Sequence, residues 1–102
     1  MEVCEEMQKL RDWLDENNID WEDMSEDFSK GSIDDFWICR TWFEIKDRKI
    51  SVINGYGTYG GIRFLDGKNE GLLEIMGLDD DVIGHMTADD VIAAISERLE
   101  ER

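Results

Sequence analysis

Gly55-x-Gly57-x-x-Gly60 follows a run of β-prone residues and matches, as a string, the glycine signatures of dinucleotide-binding and kinase loops. The dinucleotide version needs a helix to open there, so that its free N–H groups meet the pyrophosphate. Ile62-Arg63-Phe64-Leu65-Asp66-Gly67 follows instead, which is no helix opening, and 102 residues cannot hold a kinase catalytic domain. The string reads as a turn whose glycines permit positive φ. Asp79-Asp80-Asp81-Val82-Ile83-Gly84 approaches a calcium loop, with Gly84 at position six and Asp90 at position twelve. Ile83, however, stands where an oxygen ligand is needed, Asp replaces the bidentate Glu, and Asp90 is claimed by a helix start. A solvated turn is the better reading. His85 is the single histidine, and no Gly-x-Ser-x-Gly or activated cysteine marks a nucleophile for it. Carboxylate pairs abound among 26 acids and therefore select no glycosidase site. The expectation is a chain that is not an enzyme, with no catalytic residue, no metal ligand and no cofactor.

The acids themselves are distributed in an informative way. Residues 1–36 carry 13 acids against 3 bases, a net of −10; residues 37–71 carry 6 bases against 4 acids, a net of +2; residues 72–102 carry 9 acids against 2 bases, a net of −7. These sum to −15. Asp12, Asp15, Glu16, Asp20, Glu22, Asp23, Glu26 and Asp27 place 8 acids in sixteen residues. A small domain stays in solution with a net charge of only about 2–8, so this excess goes beyond that need. Direct binding to nucleic acid or an anionic membrane is disfavoured, because both are polyanions. The partner that fits is a protein with a basic surface, and in the sharper form a nucleic-acid-binding protein whose groove accepts the carboxylates in place of phosphates. Trp21, with Tyr56 and Tyr59 interleaved among the glycines, joins the partner-binding candidates, since aromatics on loops anchor interfaces. The alternative is an ordinary protein–protein interface on an aromatic patch around Trp21, Phe28, Tyr56 and Tyr59, with acidity serving solubility alone.

The elements that must position these residues read as one α+β domain spanning 1–102. Val3, Met7, Leu10 and Leu14 recur with helical spacing and predict a helix over 2–16, stopped at Asn17-Asn18. Residues 19–35 alternate acids with Ile19, Trp21, Met24, Phe28 and Ile33, and read as a connector with a helical turn or an edge strand. The runs at 37–45 and 49–54 predict an antiparallel hairpin, with a third strand from Ile62–Leu65 or Leu72–Met76. The first run is apolar on both parities, so both of its faces are expected to be covered, with the helices as the covers. Thr87 with Asp90 three residues on caps a C-terminal helix over about 88–100, whose apolar face is Val91, Ile92, Ile95 and Leu99. The core should draw on Leu10, Leu14, Ile38 or its neighbours, Val52, Ile92 and Ile95. Cys4 and Cys39 are too few for a disulfide framework and read as passive thiols. No apolar stretch of about 18 residues is present and the acidic start lacks a signal-peptide pattern, so a cytoplasmic location is expected.

Ile50-Ser51-Val52-Ile53-Asn54-Gly55-Tyr56-Gly57-Thr58-Tyr59-Gly60-Gly61, Gly71-Leu72-Leu73-Glu74-Ile75-Met76 and Gly84-His85-Met86-Thr87-Ala88-Asp89-Asp90-Val91-Ile92 resemble segments of small uncharacterised proteins of bacterial prophages and other mobile elements. That group brings no established activity or site residues. In size and charge only, the chain is also similar to anti-CRISPR and anti-restriction inhibitors, some of which mimic DNA. The resemblance implies an inhibitor and leaves its mechanism to the residues.

Overall fold

The computed structural model describes residues 3–27, 37–46, 48–62, 68–78 and 82–100. A helix at each end of the chain, α1 (Glu5–Glu16) and α2 (Ala88–Glu100), packs on an antiparallel sheet, an α+β arrangement. The strands are β1 (Trp21–Asp23), β2 (Glu26–Asp27), β3 (Trp37–Ile45), β4 (Arg48–Gly55), β5 (Leu73–Met76) and β6 (Ile83–Met86). Both β1 and β2 pair with β3, and β4, β5 and β6 follow across the sheet. Trp21 opposes Phe43, Asp23 opposes Thr41 and Glu26 opposes Ile38 in one continuous register, with the Met24 N–H donating to the Arg40 carbonyl between them. β1 and β2 are therefore one edge strand broken at Met24-Ser25, which resolves the described part of the acidic connector. The hairpin of β3 and β4 pairs Ile38 with Gly55 through Ile45 with Arg48.

Helix α1 forms because Met7, Leu10 and Leu14 bury completely on its inner stripe. It begins at Glu5, and Val3 before it is exposed. Its end is chemically specified. Asn18 takes φ 56°, its N–H donates to Asp15 O, and the Ile19 N–H donates to Leu14 O at 2.9 Å. Those are the two bonds of a Schellman motif, and Asn tolerates the left-handed position that closes it.

The core joins Met7, Leu10 and Leu14 to Cys39, Phe43, Ile50, Val52, Leu73, Ile75, Val91 and Ile95. Each fully buried aliphatic or aromatic side chain is worth about 1.5–3 kcal/mol, so this layer is the main source of stability. Leu10, Leu14, Val52 and Ile95 are buried as their spacing indicates, and Cys39 takes the place beside Ile38. Ile92 is only partly buried, and Leu99 at the end of the apolar stripe is 40% exposed. Cys39, Thr41, Phe43 and Ile45 alternate onto the helix-covered face of β3. Both helices lie on that face, so neither covers the opposite one, contrary to the expectation from the two-parity run. Ile38, Arg40 and Trp42 on the opposite face are half-buried.

The third strand comes from Leu73–Met76; of the competing run, Ile62 forms isolated bridges to Tyr56 and Asn69, and 63–65 lie outside the described residues. β6 is a further strand, where the sequence reads as a turn. It pairs with β5 through a register shift, and His85 takes φ 54°. Four residues carrying a glycine and a kinked histidine give too little periodicity to mark a strand. Ile83 and Gly84 of the aspartate string are thus strand residues; Asp79–Asp81 lie outside the described residues.

In the glycine-rich loop Gly57 and Gly60 have positive φ, as a turn requires. A Cβ on Gly60 would also stand 2.8 Å from Leu72 Cβ. Asn54, buried at the end of β4, exchanges reciprocal amide bonds of 3.0 and 2.9 Å with Asn69. At α2 the capping box is complete: Asp90 N–H donates to Thr87 Oγ1 at 3.2 Å and Thr87 N–H to Asp90 Oδ2 at 3.1 Å. Glu6 Oε1 of α1 accepts the Ala88 N–H at 2.8 Å, so the first helix also caps the second. Replacing Thr87 with Ala should cost about 1 kcal/mol in urea denaturation. Thr87→Ser should recover most of that loss, because the hydroxyl is what the helix uses.

Candidate functional site

Arg11 sits at a core position of α1, four residues after Met7, and is 5% exposed. Its Nε donates to Thr41 Oγ1 at 2.7 Å, and Nη2 donates to Arg40 O at 3.4 Å. Nη2 also lies 3.4 Å from Asp23 Oδ1, and the guanidinium stands 4.7 Å over the Trp21 ring. One charge therefore ties α1 to β3 and holds β1 by both its tryptophan and its aspartate. Trp21 is fixed a second time, since its Nε1 donates to Asp15 Oδ1 at 2.8 Å. Asp23 Oδ1 accepts the Ser25 N–H at 3.0 Å and the Ser25 hydroxyl, while Ser25 Oγ accepts the Arg40 N–H at 2.9 Å. The hydroxyl so fills a gap in the β3 ladder where the edge strand breaks. These bonds, the Ser25 hydroxyl foremost and Arg11 after it, hold the Asp23 carboxyl below the usual carboxylate range.

Next to this anchor lies a cleft of about 530 Å³ whose walls include Trp21, Trp42, Leu99, Asp20, Glu22 and Glu44. That volume is within the ~300–1,000 Å³ of ligand sites. Glu22 is the cross-strand partner of Trp42, and Glu44 is two residues along β3, so both carboxylates flank the Trp42 indole on one face. Lys46 also borders the cleft, leaving three acids against one base among these residues, 1 − 3 = −2. A smaller hollow of about 410 Å³ runs on between Asp15, Asn18, Ile19, Asp20 and Trp21.

The structure brings together Asp15, Asp20, Trp21 and Glu22 of the candidate residues at this edge. Asp12 and Glu16 are exposed on α1. Asp23 and Glu26 are engaged within the fold, Glu26 with Arg40 at 3.7 Å. Asp27 is placed by its backbone, opposite Trp37. Tyr56 and Tyr59 lie elsewhere. Trp21 opposes Phe43 near one end of β3, whereas Tyr56 follows Gly55, which opposes Ile38 near the other. Five residues of strand, about 17 Å, separate those positions. Tyr56 packs edge-on against Trp37 at 6.1 Å. Tyr59 is pinned by its backbone to Glu74 Oε1 and to the His85 N–H, and the residue is 62% exposed. Phe28, the fourth aromatic candidate, lies outside the described residues.

Sequence reasoning missed Arg11, Trp42, Glu44 and Leu99. For Arg11 a signal existed: positions 7, 10, 11 and 14 are one stripe, and a base on it must find buried partners. Trp42 and Glu44 needed the strand register, which fixes the face they share with Glu22 only once β1 is known to pair with β3, and Leu99 needed the placement of α2.

Other chemistry is sparse. Burial pushes the Cys39 thiol up from its ordinary range, and Cys4 likewise, which disfavours the reactive thiolate. Among the described residues, no three His, Cys, Asp or Glu side chains converge as a metal site. No described helix is long and apolar enough to cross a membrane. Compared with protein-family models, with curated proteins and with solved structures, the chain has no match in any of the three.

Asp23→Asn should destabilise the fold by about 1 kcal/mol at neutral pH, a hydrogen-bond-sized loss because solvent screens the half-exposed ion pair. A carboxyl with a depressed folded pKa stabilises above its unfolded pKa, near ~4, and that contribution is lost as pH falls through the folded value. The stability gap between wild type and Asp23→Asn should therefore be constant from neutral pH down to about 5 and close below about 4. A gap that persists unchanged at pH 2.5 would assign the effect to packing instead.

Proposed function

We propose that this chain is a non-catalytic protein-binding module whose acidic N-terminal third engages a basic surface, the nucleic-acid groove of a DNA- or RNA-binding protein being the partner that fits best. The observation that carries this reading is where the carboxylates sit relative to the helix dipole. The last turn of α1 contains no base and ends on Asp15-Glu16, at the negative end of the helix. Each such acid costs about 0.3–1 kcal/mol relative to a favourable charge. Both helices open on acids, Glu5 and Glu6 in α1 and Asp89 and Asp90 in α2, but the last turn of α2 sets Arg98 between Glu97 and Glu100. Of the two helices, only α1 has a last turn of acids with no base among them, at the place where the acidic window lies. Asp20 and Glu22 continue the same negative field onto β1. Local rules are broken at cost chiefly where function asks for it, which supports a binding role for this end. An inhibitor that occupies a phosphate-binding groove is the form consistent with the resemblance in size and charge to phage-encoded inhibitors.

Capture from a bacterial lysate at low and high salt, followed by mass spectrometry and titration of the captured protein, tests the reading. Binding should weaken steeply with salt, and duplex DNA should displace the module. Neutralising Asp12, Glu16, Asp20 and Glu22 together to Asn or Gln should weaken affinity at least tenfold, about 1.4 kcal/mol. The same variant should keep or raise its melting temperature, because it relieves the dipole and like-charge terms. Salt-insensitive capture that survives neutralisation and fails in Tyr59→Ala would replace this reading with the aromatic interface.

A further inference from the structure

We infer that the cleft between Trp21 and Trp42 is a receptor for a single arginine side chain of the basic partner, which gives the acidic surface a point of specificity. The inference rests on the proposed reading for its partner class, but its own support is the geometry of the cleft. A carboxylate surface alone attracts any polycation. Here Glu22 and Glu44 flank the Trp42 indole on one sheet face, and Asp20 and Trp21 stand on the adjoining wall. A planar guanidinium suits such a site twice over. Its face stacks on an indole, and its edge donates two parallel hydrogen bonds to a carboxylate. The chain already uses that combination internally, where the Arg11 guanidinium lies over Trp21 with Asp23 beside it.

The test uses hexa-arginine and hexa-lysine peptides as probes of the full chain at fixed low ionic strength. Tryptophan indole N–H signals in ¹⁵N spectra report the site, and isothermal titration gives the affinity. The arginine peptide should shift the Trp21 and Trp42 indole signals and bind at least about threefold more tightly than the lysine peptide, as stacking predicts. Glu22→Gln/Glu44→Gln should lower arginine-peptide affinity at least about fivefold, whereas Glu5→Gln/Asp89→Asn, an equal charge change near the helix N-termini, should lower it less than about twofold. Trp42→Leu should abolish the arginine preference. Because Glu22 and Glu44 are exposed, the carboxylate pair remains a valid test if the tryptophan variant fails to fold. Equal loss in both double variants, unmoved indole signals at saturation, or equal affinity for the two peptides would each overturn the cleft. Any of those results leaves the basic-partner reading standing on its salt and displacement behaviour. A captured partner indifferent to salt and DNA would sink that reading without touching the peptide result.

Discussion

The buried guanidinium of Arg11 organises the end of the molecule that carries the acidic window. Burying the Arg11 guanidinium alone would cost several kcal/mol. The fold must therefore bring acceptors to it. Thr41 and the Arg40 carbonyl come from β3, and Asp23 and the Trp21 ring come from β1. An edge strand of three residues has little ladder of its own, so its position depends on these side-chain bonds. Removing Arg11 would leave β1 held to the helix layer through Trp21 alone, by its bond to Asp15 and its packing on the core. The constraint runs the other way as well, because a strand so rich in acids needs an internal cation to be held against the sheet.

The edge strand is also protected by the residues that make it interesting. Unpaired strand edges invite pairing with other chains, and charged side chains are the usual deterrent. Glu22, Asp23 and Glu26 serve that purpose regardless of any partner. On α1, Asp12 accepts a bond from the Gln8 amide, Asp15 answers to the Trp21 indole, and Glu16 is exposed. Those are the acids gathered toward the C-terminal half of α1, where the dipole opposes them. The edge-strand acids thus serve the sheet, while those late in α1 stand against its dipole.

Much of the architecture is legible in the chain. Leu10 and Leu14 on one stripe, the Asn17-Asn18 stop, the β3–β4 hairpin and the Thr87–Asp90 box each follow from local chemistry, and each is present. What escaped notice depends on contacts distant in sequence. β6 has no periodicity of its own and exists because β5 offers it an edge. The two-parity apolar run of β3 suggested covers on both sides, yet Phe43 and Cys39 meet the helices while Trp42 borders a cleft. The acidic window was visible as composition, but only the register 21–43, 22–42, 23–41 sorts its members into those facing Arg11 and those facing Trp42. Composition gives the sign of the field, and register decides which carboxylates supply it.

That sorting has a consequence for how specificity could arise in so acidic a protein. Long-range attraction between this surface and a basic groove is set by total charge, falls off within ~8–10 Å at ordinary salt, and discriminates poorly among cationic partners. Discrimination needs a contact that differs between one cation and another at short range. Alternation along β1 and β3 provides it without extra residues: Trp21 and Asp23 turn inward to bind Arg11, and Glu22 and Trp42, one step out of phase, turn to the other face. The inward pair makes the strand rigid. Rigidity is what lets the outward pair discriminate, because a carboxylate and an indole held in fixed register stack and pair with a planar guanidinium at little ordering cost, whereas the same residues on a mobile loop would lose that advantage to entropy.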